Sequence, residues 1–292
     1  MKFAAIDIGT NAARLLIGEV RMSTSGLQIQ KLGYYRSPLR LGEDVFKKGK
    51  IGTSKLKQFI QTLQAFQLLA AAHEVNQLRA VATSAMREAS NNKKVAKEIL
   101  QATGLQIDVI SGEEEAKLIF NAFELLHLAS QTQFILVDVG GGSTEISVFE
   151  DGKRRASQSF ELGTLRILNQ KVEPQVWDEF KSWILTHAKV NEPHIVFGTG
   201  GNINRALKML PSKRAKISRK DLIELHGKLS ALTLNERIEQ FQLKADRADV
   251  IVPALEIYIT ALSALGQEHI VVPKIGLADG ILLELYLKNT PI

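Results

Sequence analysis

The sequence predicts an α/β protein built from two tandem copies of one unit. Two observations carry this reading. The stretch "FAAIDIGTNAARLLIGEV" near the N-terminus and the stretch "QFILVDVGGGSTEISVFEDG" from Gln133 share one form: an apolar run, an aspartate, a glycine loop, a second apolar run. Each is followed by a third strand-like segment and then by alternating helical and strand-like segments, an α/β layer pattern that occurs twice. With 292 residues, 45% of them hydrophobic, the chain can bury two such cores.

In the first copy, strands are expected at Phe3–Ile8, Ala13–Val20 and Leu27–Tyr35, from their period-2 or continuous apolar runs. A helix is expected over Ser54–Glu74, where Phe59, Leu63, Phe66 and Ala70 form a stripe. A strand at Leu78–Thr83, a helix at Asn92–Thr103, a strand at Ile107–Ile110 and a helix at Gly112–Leu128 complete it. Gly26, Gly49, Gly52 and Gly104 punctuate these segments. In the second copy, strands are expected at Phe134–Val139, Glu145–Glu150 and Arg155–Glu161. A helix at Glu173–Ala188 and a strand at His194–Phe197 follow. Helical segments Asn202–Met209, Arg219–Leu232 and Arg247–Leu265, a strand at His269–Val272 and a helix at Leu277–Leu287 end the chain. The polar segment Ala129–Gln133 is the expected joint, giving domains 1–128 and 129–292.

Charged residues make up 23% of the chain and its mean hydropathy is near zero, as in a soluble globular protein. No apolar stretch is long enough to span a bilayer and no signal peptide is visible, so the expectation is a cytoplasmic protein without a membrane partner. The absence of cysteine excludes disulfides, thiolate zinc sites and a cysteine nucleophile. The formal charge of +6 favours an anionic partner, although an ordinary basic surface explains it as well.

The glycine loops carry the chemistry. Gly140, Gly141 and Gly142 let the backbone approach a ligand and aim N–H groups at one point, a nest for phosphate oxygens. A tight hairpin is the plainer reading of three glycines. Three features favour the nest. Asp138 interrupts an otherwise apolar strand, where a carboxylate is costly unless paired or metal-bound. The N-terminal copy keeps Asp7 and Gly9 and adds the polar Thr10 and Asn11. A third loop, "IVFGTGGNINRAL", places Gly198, Thr199, Gly200, Gly201 and Asn202 between a strand and an apparent helix start, whose free N–H groups attract anions. No GxxxxGK[ST] is present, and the first two loops lead into strands, so neither a P-loop nor a dinucleotide fold fits. Aligned on their loops, the copies put Asp7 on Asp138 and Ala12 on Ser143, but Arg14 on Glu145: the shape repeats and the charge inverts.

"ISGEEEAKLIF" begins a helix. Ser111 and Glu114 form a capping-box pattern. Glu113 lies on a solvated face with Lys117. Glu115 heads the stripe of Ile119 and Phe123 and so points inward, although all three glutamates also suit a helix N-terminus.

In order, "FAAIDIGTNAARLLI", "AVATSAMREA", "VISGEEEAKLIF", "LVDVGGGSTEISV", "FELGTLRI", "FGTGGNI" and "RADVIVPALEIY" resemble the motifs of the exopolyphosphatase/guanosine-pentaphosphatase family. The resemblance spans nearly the whole chain. It implies an actin-like phosphotransferase fold, two RNase H-like lobes with the active site in the cleft between them. It implies removal of terminal phosphates from inorganic polyphosphate or guanosine pentaphosphate with Mg²⁺, or with Mn²⁺ or another divalent cation. By motif, the catalytic glutamate matches Glu115 and the metal-associated acids match Asp138 and Glu145. The phosphate-contacting loops match Asp7–Asn11, Gly140–Ser143 and Gly198–Asn202, and a substrate-contacting arginine matches Arg87. Two departures bear on substrate preference. The usual Gly-Ser-Asn-Ser reads Gly-Thr-Asn-Ala, and the usual Leu-Arg-Glu-Gly reads Leu277-Ala278-Asp279-Gly280. The six histidines are scattered and offer no cluster for the helical metal-dependent domain that some members add.

The expected activity is phosphoanhydride hydrolysis, with Glu115 as base and Arg87, joined by Arg14, neutralising developing charge. Lys47, Lys48 and Lys50, Lys93, Lys94 and Lys97, and Lys213, Arg214 and Lys216 are candidates to guide a long chain, a solvated surface being the plainer reading of each run. A kinase of the same fold and a non-catalytic polyphosphate or alarmone sensor are the alternatives. A homodimer is left open. Specific nucleic-acid binding is not expected, since no basic-aromatic reading motif appears.

Overall fold

The computed structural model describes all residues except 25, 124, 126–132, 190–191, 193, 211–214 and 291–292. The expected joint and the basic residues Lys213 and Arg214 therefore fall largely outside the described residues. The chain divides into two compact units, Met1–Leu128 with Ile275–Ile292, and Ala129–Lys274.

The first unit runs β1 (Lys2–Ile8), β2 (Ala13–Ser23), β3 (Gly26–Ser37), α1 (Leu41–Lys48), α2 (Thr53–Ala72), β4 (Gln77–Ala82), α3 (Ser84–Glu88), α4 (Asn92–Thr103), β5 (Ile107–Val109) and α5 (Gly112–Phe123). The second runs β6 (Phe134–Val139), β7 (Thr144–Glu150), β8 (Lys153–Phe160), α6 (Thr164–Leu168), α7 (Pro174–His187), β9 (Ile195–Thr199), α8 (Gly201–Met209), β10 (Lys216–Ser218), α9 (Arg219–Ser230), α10 (Leu234–Phe241), α11 (Ala245–Ala248), α12 (Ile251–Ala264) and β11 (His269–Val271). A final helix, α13 (Leu277–Asn289), returns to the first unit.

The two sheets share one plan. In the first, the order is β3-β2-β1-β4-β5, with β1–β2 and β2–β3 antiparallel and β4 and β5 added in parallel. In the second, β8-β7-β6-β9-β11 repeats this arrangement, and β10 adds an antiparallel edge. Hairpins connect β1 to β2 to β3 and β6 to β7 to β8, whereas the parallel strands need helical crossovers. This is the RNase H-like sheet, made twice, as the internal repeat predicts. Strands β1 and β6 are buried along most of their length, which explains their continuous apolar runs.

The structure departs from the expected elements in two ways. Short elements appear where none is expected: α1, α3, α6, α10 and β10. The long helix expected over Arg247–Leu265 is two, α11 and α12.

The expected second domain, 129–292, also needs correction, because residues 275–292 pack with the first unit. The reason is local. Helix α13 buries Leu277, Ile281, Leu282, Leu283 and Leu285. Gly280 lies so close to α5 that a Cβ there would stand 1.9 Å from the Leu118 carbonyl oxygen. On β2, Gly18 leaves room for Leu282, whose Cδ1 would sit 2.9 Å from a Cβ. Buried Asp279 accepts the Gly276 N–H at the helix start and pairs with Lys31 of β3 at 2.6 Å.

Candidate active site

In both units the glycine loop leaves the carboxyl end of the sheet's central strand, the position where α/β sheets bind ligands. The loops close alike: Gly9 N–H donates to the Ala12 carbonyl at 3.0 Å, and Gly140 N–H donates to the Ser143 carbonyl at 2.9 Å. What differs is the residue pair at the loop's base. In the first unit Asp7 faces Arg14 across the antiparallel ladder, joined by a 2.6 Å ion pair. In the second, Asp138 faces Glu145, with carboxylate oxygens within 4.8 Å of one another. Directly opposed like charges on a ladder are destabilising. The first unit answers its aspartate with a guanidinium, and the second sets two acids in the same place.

Neighbouring hydroxyls orient these two acids. Thr199 Oγ1 donates to Asp138 Oδ1 at 2.6 Å, and Ser143 and Ser159 both donate to Glu145 Oε1 at 2.7 Å. Thr199 and Ser143, expected as phosphate contacts, thus direct their hydroxyls at the acids. Beneath them, fully buried Tyr258 donates to the Thr199 carbonyl. Burial, with the Asp138 charge adding to it, pushes its phenol well above the ordinary tyrosine range, so it stays a neutral donor. The donor set, two hydrogen-bonded carboxylates without a soft ligand, suits a hard divalent cation.

The Gly140–Gly142 loop is held by the start of α6. Thr164 N–H donates to Gly140 O, Leu165 N–H to Gly141 O at 2.8 Å, and Arg166 Nε to Gly142 O at 2.9 Å. In a trans peptide the N–H points opposite to the C=O. With three successive carbonyls turned toward α6, the N–H groups of Gly141, Gly142 and Ser143 point to the other side, as an anion nest requires. Gly163 allows this close approach, for a Cβ there would lie 2.3 Å from the Gly142 carbonyl carbon. The third loop is equally tight. Gly200 has φ +103°, and a Cβ on it would meet the Val139 oxygen at 2.8 Å. A Cβ on Gly201 would strike the Arg247 guanidinium, whose Nη1 also donates to Asn202 Oδ1.

In the first unit, Thr10 and Asn11 are buried, and their carbonyls accept the Gly42 and Arg40 N–H groups at the start of α1. Glu115 is 8% exposed, whereas Glu113 and Glu114 are exposed. Ser111 Oγ accepts the Glu114 N–H, and the Glu114 carboxylate pairs with Arg79. Arg87, on α3, lies 3.7 Å from Glu115 Oε2 and donates to the Ile110 carbonyl. Each unit therefore gathers its own expected residues: Asp7, Gly9, Thr10, Asn11 and Arg14, with Arg87 beside Glu115, in the first, and Asp138, Gly140–Ser143, Glu145 and Gly198–Asn202 in the second.

Sequence reasoning did not single out Ser159, Gly163, Arg166, Arg247 or Tyr258. The strings "FELGTLRI" and "RADVIVPALEIY" contain four of them. Ser159 carries no signal, because only the β7–β8 register brings it opposite Glu145.

A two-unit fold with glycine loops at equivalent strand ends and paired acids at one of them suits an enzyme acting on phosphate groups. The model of the Ppx/GppA phosphatase family matches residues 20–289, and the chain belongs to that family. It is a phosphohydrolase. Exopolyphosphatase 2 of Mycobacterium tuberculosis is 26% identical, over 97% of this chain and 98% of its own length. Guanosine-5'-triphosphate,3'-diphosphate pyrophosphatase of Aeromonas hydrophila is 25% identical, over 98% of this chain and 60% of its own length. An exopolyphosphatase structure from Cytophaga hutchinsonii superposes with a TM-score of 0.84 at 23% identity, covering 98% of this chain and 97% of that one. An Aquifex aeolicus Ppx/GppA structure does so with a TM-score of 0.78 at 24% identity, covering 100% and 99%. No helix among the described residues is long and apolar enough to cross a membrane.

Proposed function

We propose that the protein hydrolyses the terminal phosphoanhydride of inorganic polyphosphate or guanosine pentaphosphate, with a divalent cation, Mg²⁺ by preference, held by Asp138 and Glu145. The observation that carries the metal is the inverted pair: two facing acids where the sister unit has Asp7 and Arg14. Such a cation, when bound, neutralises phosphate charge and polarises the phosphoryl group.

The other roles belong to the chain's own groups. The N–H groups of Gly141, Gly142 and Ser143 and the Gly198–Asn202 turn bind non-bridging oxygens. Thr10, Asn11 and Arg14 provide polar groups and a cation from the first unit, with Asp7 fixing the guanidinium. Glu115 orients a water and accepts its proton as the water oxygen bonds to the terminal phosphorus and the bridging P–O bond breaks. The shortened chain leaves with the bridging oxygen, and Arg87 steadies the charge beside Glu115. Family membership supports hydrolysis over phosphoryl transfer to an acceptor or binding without turnover.

The test is Mg²⁺ titration of the protein and of Asp138→Asn, by calorimetry and by phosphate release from polyphosphate and pentaphosphate. The variant is expected to stay folded, to lose Mg²⁺ affinity and to lose most turnover. Full wild-type activity in excess chelator would remove the metal from this reading.

A further inference from the structure

Two lysine runs far apart in sequence form one surface. Helix α1 ends with Lys47 and Lys48, and Lys50 follows Gly49. Helix α4 begins at Asn92 and carries Lys93, Lys94 and Lys97. The runs are stitched together by three hydrogen bonds. Ser90 N–H donates to Gly49 O at 2.9 Å, Ile51 N–H to Asn91 Oδ1 at 3.0 Å, and Asn91 Nδ2 to Ile51 O at 2.8 Å. All six lysines are exposed. Lys48 pairs with Asp44 and Lys94 approaches Glu98, whereas Lys47, Lys50, Lys93 and Lys97 have no ion-pair partner among the described residues.

An ordinary solvated face accounts poorly for this arrangement. Lys93 and Lys94 occupy the first turn of α4, where the helix dipole disfavours cations and where no acid accompanies them. Asn91, in the capping position, makes no side-chain cap and holds the Ile51 backbone instead. The local rules are broken in the direction that concentrates positive charge.

The surface is also tied to the first glycine loop. Helix α1 starts on that loop's carbonyls, with Gly42 N–H on Thr10 O at 3.0 Å and Arg40 N–H on Asn11 O at 2.8 Å. Its eight residues carry the chain about 12 Å to the lysines. From the neighbouring parallel strand β4, whose end Ala82 lies beside Ile8 of β1, α3, which bears Arg87, leads to Ser90.

We infer that the Lys47/Lys50/Lys93/Lys97 surface binds the distal part of a long inorganic polyphosphate chain whose terminus occupies the glycine loops. The inference rests on the proposed function and narrows its substrate. Lysine ammoniums are point charges on flexible stems, suited to a polyanion without bases to read. Short substrates that end near the loop cannot span the helix's length, so the second contact rewards long chains alone, by raising effective concentration.

The test compares the wild type with K47Q/K50Q/K93Q/K97Q, four exposed positions whose change leaves the core intact. The KM for long-chain polyphosphate is expected to rise about tenfold or more, with kcat unchanged and a flatter dependence on salt. For tripolyphosphate and guanosine pentaphosphate, kcat/KM should stay within about twofold of wild type, because one contact and not two serves them. An unchanged KM for long chains, or an equal loss on tripolyphosphate, overturns the inference. So does a variant that loses affinity for homopolymeric RNA while keeping its KM for polyphosphate, which would make the surface a nucleic-acid contact. If the wild type hydrolyses none of these substrates, the proposed function fails by itself. Equilibrium titration with labelled long-chain polyphosphate then decides the surface: weaker binding by the variant supports it, and equal binding overturns it.

Discussion

Among three adjacent glutamates, helical periodicity distinguishes one. Glu115 shares a face with Ile119 and Phe123 and is buried, while Glu113 and Glu114 stay exposed. Under the proposed mechanism, Glu115→Gln keeps the shape but cannot take a proton. Turnover in steady-state assays should fall by about two to four orders of magnitude, with polyphosphate binding retained or improved. Glu113→Gln and Glu114→Gln should turn over near normally, and wild-type turnover in Glu115→Gln would sink the assignment. Asp279 illustrates what the sequence hides. In the sequence it is part of a motif departure that bears on substrate preference, yet in the fold burial pushes its carboxyl above the usual range, with Lys31 only partly opposing the shift. A group whose pKa is raised by folding stabilises the fold fully below its unfolded value, about 4, and loses that contribution as pH rises through its folded value. Measured by thermal unfolding, the wild-type Tm minus that of D279N should therefore decrease from about pH 4 toward neutrality. Glu43 titrates the other way: burial opposes ionisation there, but its bonds to Lys55 and Arg40 outweigh it and leave the pKa lowered. Being present in both proteins, it cancels from the difference, and an opposite slope would refute the assignment to Asp279.

At the scale of elements, segments with a clear apolar run or stripe were legible and the shortest helices were not. Residues 92–103 and 134–139 are found with the expected bounds, because a full apolar stripe or run defines them. The five-residue helices α3 and α6 are too short to show a period, and tertiary bonds rather than propensity hold them. Helix α6 shows why this matters for the site. Its first N–H groups and Arg166, only 5% exposed, anchor the carbonyls of the glycine loop. The nest therefore depends on an element that no periodicity announces. Gly163→Ala tests it directly. The added methyl would overlap the Gly142 backbone, so either the loop or α6 must move. We expect a kcat loss of about tenfold or more, since displaced donors no longer meet the transition-state charge. The circular-dichroism spectrum should be unchanged, because α6 is one turn. Unaltered kcat would show that the loop tolerates displacement and that its N–H groups do not set the rate.

At the scale of the molecule, duplication is what the sequence displays most plainly, and the closure of the first unit is what it conceals. The order of strands and the paired loops recur because each unit must cover a sheet of the same plan. Nothing in the linear pattern indicates that the last helix belongs to the unit whose earlier part ends at Leu128, with the whole second unit in between, since its apolar run Ile281–Leu283 would suit either core. The structure decides by shape: Gly280 against the Leu118 carbonyl, Gly18 beneath Leu282, and Asp279 on Lys31. The energy at stake is large. Five buried side chains, Leu277, Ile281, Leu282, Leu283 and Leu285, at about 1.5–3 kcal/mol each, amount to about 7–15 kcal/mol, as much as the whole stability of an ordinary domain. A chain ending at Lys274 should therefore fail to fold its first unit, although it retains every expected catalytic residue. Hydrogen exchange is expected to show protection lost across β1, β2 and α5 and kept across β6, β7 and β9. A second polypeptide carrying residues 275–292, added in trans, should restore protection in proportion to its concentration. If the shortened chain instead protects β1 and α5 as the full chain does, α13 is an accessory covering, and the first unit closes on residues 1–128 alone.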